Sequence, residues 1–312
     1  MADIIETSHL RREFNGAAAV DDVSLSVREG EVFGLVGPDG AGKTTALRML
    51  SGVMRPTSGE IVIAGHDVVA DPESIKEIVG YMPQTFGLYG DLSVMENLEF
   101  YADLYRTPPE LRPERIRKLL AFGRLEPFVN RLARNLSGGM RQKLALAAIL
   151  MPEPRILLLD EPTTGVDPVS RRDFWRILYG LNKEGVTLLV STPYMDEAER
   201  CARVALMFGG RLVAVDTPDN LRKLMVGELL ELHTPDERRA RMALADLPGV
   251  MSVEIFGDRV HVVVEDAEAM IKPICDRVKE VGITVTSIEP ISPGLEDVFV
   301  SLLRPDGPRP AD

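Results

Sequence analysis

Gly37-Pro38-Asp39-Gly40-Ala41-Gly42-Lys43-Thr44 fits G-x-x-x-x-G-K-[ST], and the next residue is Thr45. The apolar run Val32–Val36 predicts a strand before it, and Thr44 to Leu50 reads as a helix after it, which is the setting the motif requires. Such a turn grips phosphate. Its glycines let backbone N–H groups point inward, and the helix N-terminus adds positive potential. Lys43 then reaches the β and γ phosphates, while the Thr44 hydroxyl ligates magnesium. The bland alternative is a glycine-rich turn, which the flanking strand and helix disfavour.

Ile156-Leu157-Leu158-Leu159-Asp160-Glu161 predicts a buried strand that delivers two carboxylates at its end, where ligands of open parallel sheets bind. Asp160 is placed to hold magnesium, directly or through water. Glu161 is placed to polarise the water that attacks a γ-phosphate, work that needs a carboxylate near the in-line position. Taken alone, the run is equally a buried strand ending in an acid at a turn; its partnership with the phosphate loop favours the chemical reading. Ser137-Gly138-Gly139 opens an apolar helix and offers a second anion-binding end. One nucleotide site already supplied with a phosphate loop has no use for it, and in isolation it is a capped helix with a flexible start.

The phosphate loop, LSGGMRQ, LLLDEP and Thr164-Gly165-Val166-Asp167-Pro168 follow one another in the order and approximate spacing seen in ABC-transporter nucleotide-binding domains. Residues 1 to about 226 resemble that family, and LSGGMRQ is the signature that separates it from other phosphate-loop proteins. The resemblance implies a dimer in which Ser137, Gly138 and Gly139 close on ATP held by the opposite protomer. It further implies that Gln84 contacts magnesium and senses a membrane subunit, that Phe14 stacks on adenine, and that Asp167 communicates between the two ATP sites. GLVGPDGAGKTT, YMPQTFGLYGDLSVMENLEFYADLY and STPYMDEAE are similar to the bacterial multidrug-export branch, which pairs such subunits with a transmembrane permease. On this resemblance the chain is an ATP-hydrolysing subunit, peripheral on the cytoplasmic face of the membrane. A soluble ATPase acting on DNA or ribosomes, and an ATP-binding regulatory subunit, are the competing functions.

Two positions depart from the family pattern. A histidine that contacts the γ-phosphate usually follows Ser-Thr, whereas this chain has Ser191-Thr192-Pro193. Proline has neither a side-chain donor nor a backbone N–H. Losing one transition-state contact typically costs about 2–4 kcal/mol, or roughly 10²- to 10³-fold in rate, so slow hydrolysis at this chain's own site is expected. Asp39 stands where asparagine is usual and sets a carboxylate beside the phosphate loop.

These residues need a scaffold. Ile4 to Val36 reads as short strands with turns at Asn15-Gly16 and Glu29-Gly30, and Gly59 to Ala64 as a further strand. Residues 85 to 151 read as an inserted helical subdomain, with Asp91, Ser93 and Ser137 as helix-start candidates and Pro108-Pro109 as a break. Arg155 to Leu159, Ser170 to Lys183 and Thr187 to Ser191 form a βαβ pattern. The expected fold is therefore an α/β phosphate-loop NTPase of ABC type over 1–226. A small accessory α+β domain of ferredoxin-like type is expected over 227–304, with strands near Leu229 to Leu232, Val250 to Phe256, Val260 to Val264 and Thr284 to Ile288. Residues 305–312, with three prolines, read as a loose tail.

At 312 residues the chain exceeds what one small core organises, and 45% apolar with 27% charged residues suits a globular protein. A net charge of −12 argues against a nucleic-acid partner, because backbone affinity comes from clustered Lys and Arg. Cys201 and Cys275 are isolated, so neither a disulfide framework nor a zinc site is indicated. No apolar stretch has the roughly 18–20 residues of a membrane helix, so any membrane role requires another chain.

Overall fold

The computed structural model describes residues 2–303. The proline-rich tail expected over 305–312 lies outside them. Chain contacts divide into two compact units between Pro218 and Asp219, before the expected domain boundary at 226.

The first unit runs β1 (Asp3–Phe14), β2 (Ala17–Arg28), β3 (Val32–Val36), α1 (Lys43–Leu50), β4 (Ser58–Ile63), β5 (His66–Asp67), β6 (Val79–Met82), α2 (Val94–Leu104), α3 (Arg112–Gly123), α4 (Gly138–Ile149), β7 (Ile156–Asp160), α5 (Pro168–Lys183), β8 (Thr187–Thr192), α6 (Met195–Ala198), β9 (Arg203–Phe208) and β10 (Arg211–Asp216). A six-stranded sheet in the order β10-β9-β3-β8-β7-β6 forms its centre, parallel throughout except for β10 at one edge. Every residue of β3, β7 and β8 is buried, as expected for strands covered on both faces. An antiparallel sheet, β2-β1-β4-β5, stands beside it. Helix α1 adds Ala46, Leu47, Met49 and Leu50 to a core shared with Ile5, Val23, Phe33 and Leu158. The first turn of α1 is thereby fixed by its own apolar face.

Ser93 caps α2 through a reciprocal capping box with Glu96, and Ser137 caps α4 by accepting from the Met140 N–H. Asp91, also a helix-start candidate, instead pairs with Arg134. The complete box two residues later is what sets the start of α2.

The second unit comprises β11 (Glu228–His233), α8 (Glu237–Leu244), β12 (Val250–Phe256), β13 (Arg259–Val264), α9 (Ala267–Glu280), β14 (Ser287–Ile291) and α10 (Leu295–Leu302), after the short α7 (Pro218–Arg222). Its antiparallel sheet has the order β12-β13-β11-β14, which is the βαββαβ arrangement of ferredoxin-like domains. Strand β14 sits three residues later than the Thr284 to Ile288 reading, because pairing with β11 aligns Ser287 with His233 and Ile291 with Leu229. Pro290 is tolerated there since β14 is an edge strand. Leu230, Leu232, Val260 and Val262 pack with Ala240, Leu244, Ile274 and Val278 of α8 and α9.

Outside that core, His261 joins α10 to the sheet. Its Nδ1 lies 2.6 Å from Asp297 Oδ1 and its Nε2 lies 3.4 Å from Glu231 Oε2. Glu231 also meets His233 and Arg259, and Glu296 adds a further carboxylate from α10. Burial lowers the His261 pKa, but the two carboxylates outweigh it and the net shift is upward. Burial likewise raises that of Glu231, and its three cationic or donor neighbours reverse the direction. A histidine raised in the folded state contributes in full below about pH 6.5 and loses that contribution as pH rises through the folded value. Amide-exchange protection of α10 in the full chain, corrected for intrinsic exchange, is therefore expected to fall as pH rises above about 6.5 and through the raised His261 value. In His261→Gln the fall is expected to shrink, with lower protection already at the acidic end.

Candidate functional site

The C-terminal ends of β3, β7 and β8 lie side by side in the parallel sheet, where open α/β folds bind ligands. A hollow of about 870 Å³ opens there. Phe14, Asp39, Gly40, Ala41, Gly42, Lys43, Thr44, Thr45, Gln84 and Glu161 line it, together with Ala19, Thr164, Pro193 and Tyr194. Phe14 stands 40% exposed, with the Arg12 guanidinium 4.8 Å from its ring centre.

The phosphate loop is shaped by close backbone approach. A Cβ on Gly37 would stand 2.1 Å from the Met207 carbonyl oxygen, and one on Gly42 would stand 2.3 Å from that of Ala19. Gly42 also has φ 106°, which L side chains rarely adopt. Pro38 closes the loop by accepting from the Ala41 N–H through its carbonyl.

Lys43 is almost wholly buried. Its Nζ donates to the carbonyls of Gly37 (2.8 Å) and Pro38 (3.0 Å) and lies 3.1 Å from Glu161 Oε1. Glu161 is itself buried, and its other oxygen accepts from Gln84 Nε2 at 3.1 Å and Thr164 Oγ1 at 3.2 Å. Directly after β7, Glu161 takes φ 48°, a left-handed conformation unusual for a side chain of its size. Its N–H donates to both the Oγ (3.0 Å) and the carbonyl (3.1 Å) of Ser191, which hold that turn to β8.

Asp160 Oδ1 accepts from Thr44 Oγ1 (3.1 Å) and Ser191 Oγ (2.8 Å). Oδ2 is buried and has no hydrogen-bond partner among the described residues. Burial pushes the carboxyl above its usual range, opposed by the two hydroxyls and reinforced by Glu161. A hard, oxygen-seeking dication fits this set: the Asp160 carboxylate has an unused oxygen, Thr44 supplies a hydroxyl, and Gln84, with its amide nitrogen on Glu161, has its carbonyl oxygen to offer.

Ser137, Gly138, Gly139 and Asp167 do not line this hollow. They form a neighbourhood of their own. A Cβ on Gly139 would stand 2.6 Å from Ser170 Cβ, and one on Gly138 would lie 3.6 Å from the Gly165 carbonyl oxygen. Exposed Asp167 caps α5 by accepting from the Val169 (3.1 Å) and Ser170 (3.0 Å) amides. Sequence reading missed Ser191, Glu197 and Tyr194. All three lie in the STPYMDEAE segment, which carried the resemblance but gave none of them a role of its own.

A G-x-x-x-x-G-K-T turn after a central parallel strand, with two carboxylates ending a nearby strand, defines a phosphate-loop nucleotide-binding domain. Residues 20–164 match the family described as ABC transporter, and residues 217–303 match the C-terminal domain of DrrA1-3-like ATP-binding proteins. The chain is 42% identical over 306 residues to YbhF of Escherichia coli, a probable multidrug ABC transporter ATP-binding protein, covering 96% of this chain but 52% of that protein. It thus spans about half that relative's length. It is 36% identical over 300 residues to Nod factor export ATP-binding protein I of Burkholderia pseudomallei, covering 96% of each chain. Among solved structures, an ATP-binding subunit of an ABC transporter is similar with a TM-score of 0.64 and 30% identity, covering 70% of this chain and 92% of that one. A dimeric ATP-binding cassette in a post-hydrolysis state with ADP and Pi gives 0.63 and 27%, covering 68% and 98%. The chain belongs to the ABC transporter family, as an ATP-binding cassette with a DrrA1-3-like C-terminal domain.

Ser191→Ala removes a donor to Asp160 and an acceptor for the Glu161 amide. It is expected to lower stability by about 1–3 kcal/mol in urea denaturation. Gly42→Ala, forced against the Ala19 carbonyl, is expected to abolish ATP binding as well as lower the melting temperature.

Proposed function

We propose that this chain binds ATP with magnesium in the hollow beneath Phe14 and hydrolyses it to drive a membrane exporter. The observation that carries this reading is the buried Lys43–Glu161 pair, which sets a phosphate-binding cation 3.1 Å from a carboxylate suited to water activation. An incoming triphosphate competes with Glu161 for the Lys43 ammonium, so binding frees the carboxylate to orient the attacking water. The amides of Gly37 to Thr45 hold the phosphates, and Phe14 stacks on adenine. Asp160, Thr44 and Gln84 would hold magnesium, which when bound neutralises charge on the β and γ phosphates.

Ser137, Gly138, Gly139 and Asp167 serve the nucleotide of a second protomer. Their absence from the hollow's lining supports this, since a capped, exposed helix end is left with anion-binding capacity of its own. Residues around Gln84 to Tyr105 press on a permease at the cytoplasmic face of the membrane. Names of the relatives, multidrug and Nod factor export, support an exporter. No described helix is long and apolar enough to cross a membrane, so the pathway for cargo belongs to that permease.

Pro193 lines the hollow where a histidine donor is usual in the family, and we infer slow turnover from it. The same observation favours a second reading, an ATP-binding subunit of an asymmetric dimer whose partner carries the faster site. In purified protein, Lys43→Ala is expected to abolish ATP binding, and Glu161→Gln to retain binding while losing turnover. Pro193→His is expected to raise the ATPase rate about 10- to 100-fold. Equal rates for wild type and Pro193→His would refute the slow-site reading, and failure to bind ATP would refute the whole. Co-purification with a membrane permease separates transporter from soluble ATPase.

A further inference from the structure

The segment after β8 is held more tightly than a connection needs. Thr192 Oγ1 donates to Glu197 Oε2 at 2.7 Å and accepts from the Tyr194 N–H at 3.1 Å. Glu197, wholly buried, takes the Thr163 hydroxyl on its other oxygen at 2.5 Å. The start of α6 is therefore locked to the loop that follows Glu161. Pro193 between them fixes its own φ, so Tyr194 leaves the segment in one direction.

Tyr194 lines the nucleotide hollow beside Pro193. Its hydroxyl has no hydrogen-bond partner among the described residues. Its ring is covered by the Arg171 guanidinium, 4.1 Å from the ring centre. That arginine also pairs with Asp196 and Glu197, each with a carboxylate oxygen 3.7 Å away. Its Nε is buried without a hydrogen-bond partner among the described residues. The stack holds the ring by its face and makes no demand on the hydroxyl. Arg171 lies in the first turns of α5, its N–H bonded to the Asp167 carbonyl at 2.9 Å.

We propose that Tyr194 supplies the hydrogen-bond donor on the γ-phosphate side of the hollow that Pro193 denies it, and that Arg171 is the positioning residue holding the ring. A neutral phenol accepts no proton from the phosphate at neutral pH, so its part is a contact and not acid–base catalysis. Through Arg171 that contact is tied to the Asp167 loop. The inference rests on the nucleotide reading of the hollow given above.

The test is calorimetric affinity, with magnesium, for ADP and for the β,γ-imido analogue of ATP. Tyr194→Phe keeps the ring and removes the hydroxyl. It is expected to weaken the triphosphate analogue about tenfold while leaving ADP unchanged. Arg171→Met is expected to lower the same selectivity, and Arg171→Lys, which keeps a cation for the ring, to preserve most of it. Adding Pro193→His to Tyr194→Phe is expected to restore it. Undiminished triphosphate selectivity in Tyr194→Phe overturns this proposal alone. A wild-type chain that binds neither nucleotide overturns the nucleotide reading with it.

Discussion

A buried cation facing a buried carboxylate governs the architecture of this domain. Removing Lys43 and Glu161 from water is costly, and their attraction offsets that cost only if geometry is good and their remaining donors and acceptors are met. Both conditions hold. Lys43 has the Gly37 and Pro38 carbonyls, and Glu161 has Gln84 and Thr164. Leaving one partner unpaired would cost about 3–5 kcal/mol, so the ends of β3 and β7 must be delivered to each other accurately. Strand β8, paired with both, is the spacer that does so, and Ser191 at its end fixes the turn that points Glu161 inward.

That requirement explains which parts could be read from sequence. The phosphate loop is legible because its chemistry is local: glycines, lysine and threonine act within eight consecutive residues. Strands β3, β7 and β8 are legible because burial on both faces makes them unbroken apolar runs. Ser191 and Glu197 were not. Their roles come from partners 31 and 34 residues away, Asp160 and Thr163, and an isolated Ser or Glu carries no mark of such a partner. Asp91 misled for a related reason. It has the right type for a helix start, but Ser93 with Glu96 completes a reciprocal pair that Asp91 lacks.

The second unit shows the same limit. Alternating apolar residues located three of its strands, β11, β12 and β13, and the βαββαβ order followed. The position of β14 depends on its alignment with β11, which no property of residues 284–291 encodes alone. Strands β9 and β10 and helix α10 received no reading. After Arg203, residues 204–208 form a short, continuously apolar run, a pattern that suits a buried strand or a piece of buried helix equally. Its place beside β3 resolves the ambiguity.

Pro193 acquires its meaning from where the signature turn lies. The hollow holds the residues proposed to serve this chain's own nucleotide, whereas Ser137 and Asp167 are not among its lining and pack in a neighbourhood where Gly139 meets Ser170. A substitution in the hollow therefore weakens one of the chain's two proposed contributions and leaves the other whole. Paired with an identical copy, the chain would carry the deficit in both sites. Paired with a different cassette, it would weaken one and complete the other with an intact signature. A proline at 193 is thus less costly in a mixed dimer than in a symmetric one. The Tyr194 stack is the feature that would let a symmetric dimer tolerate it.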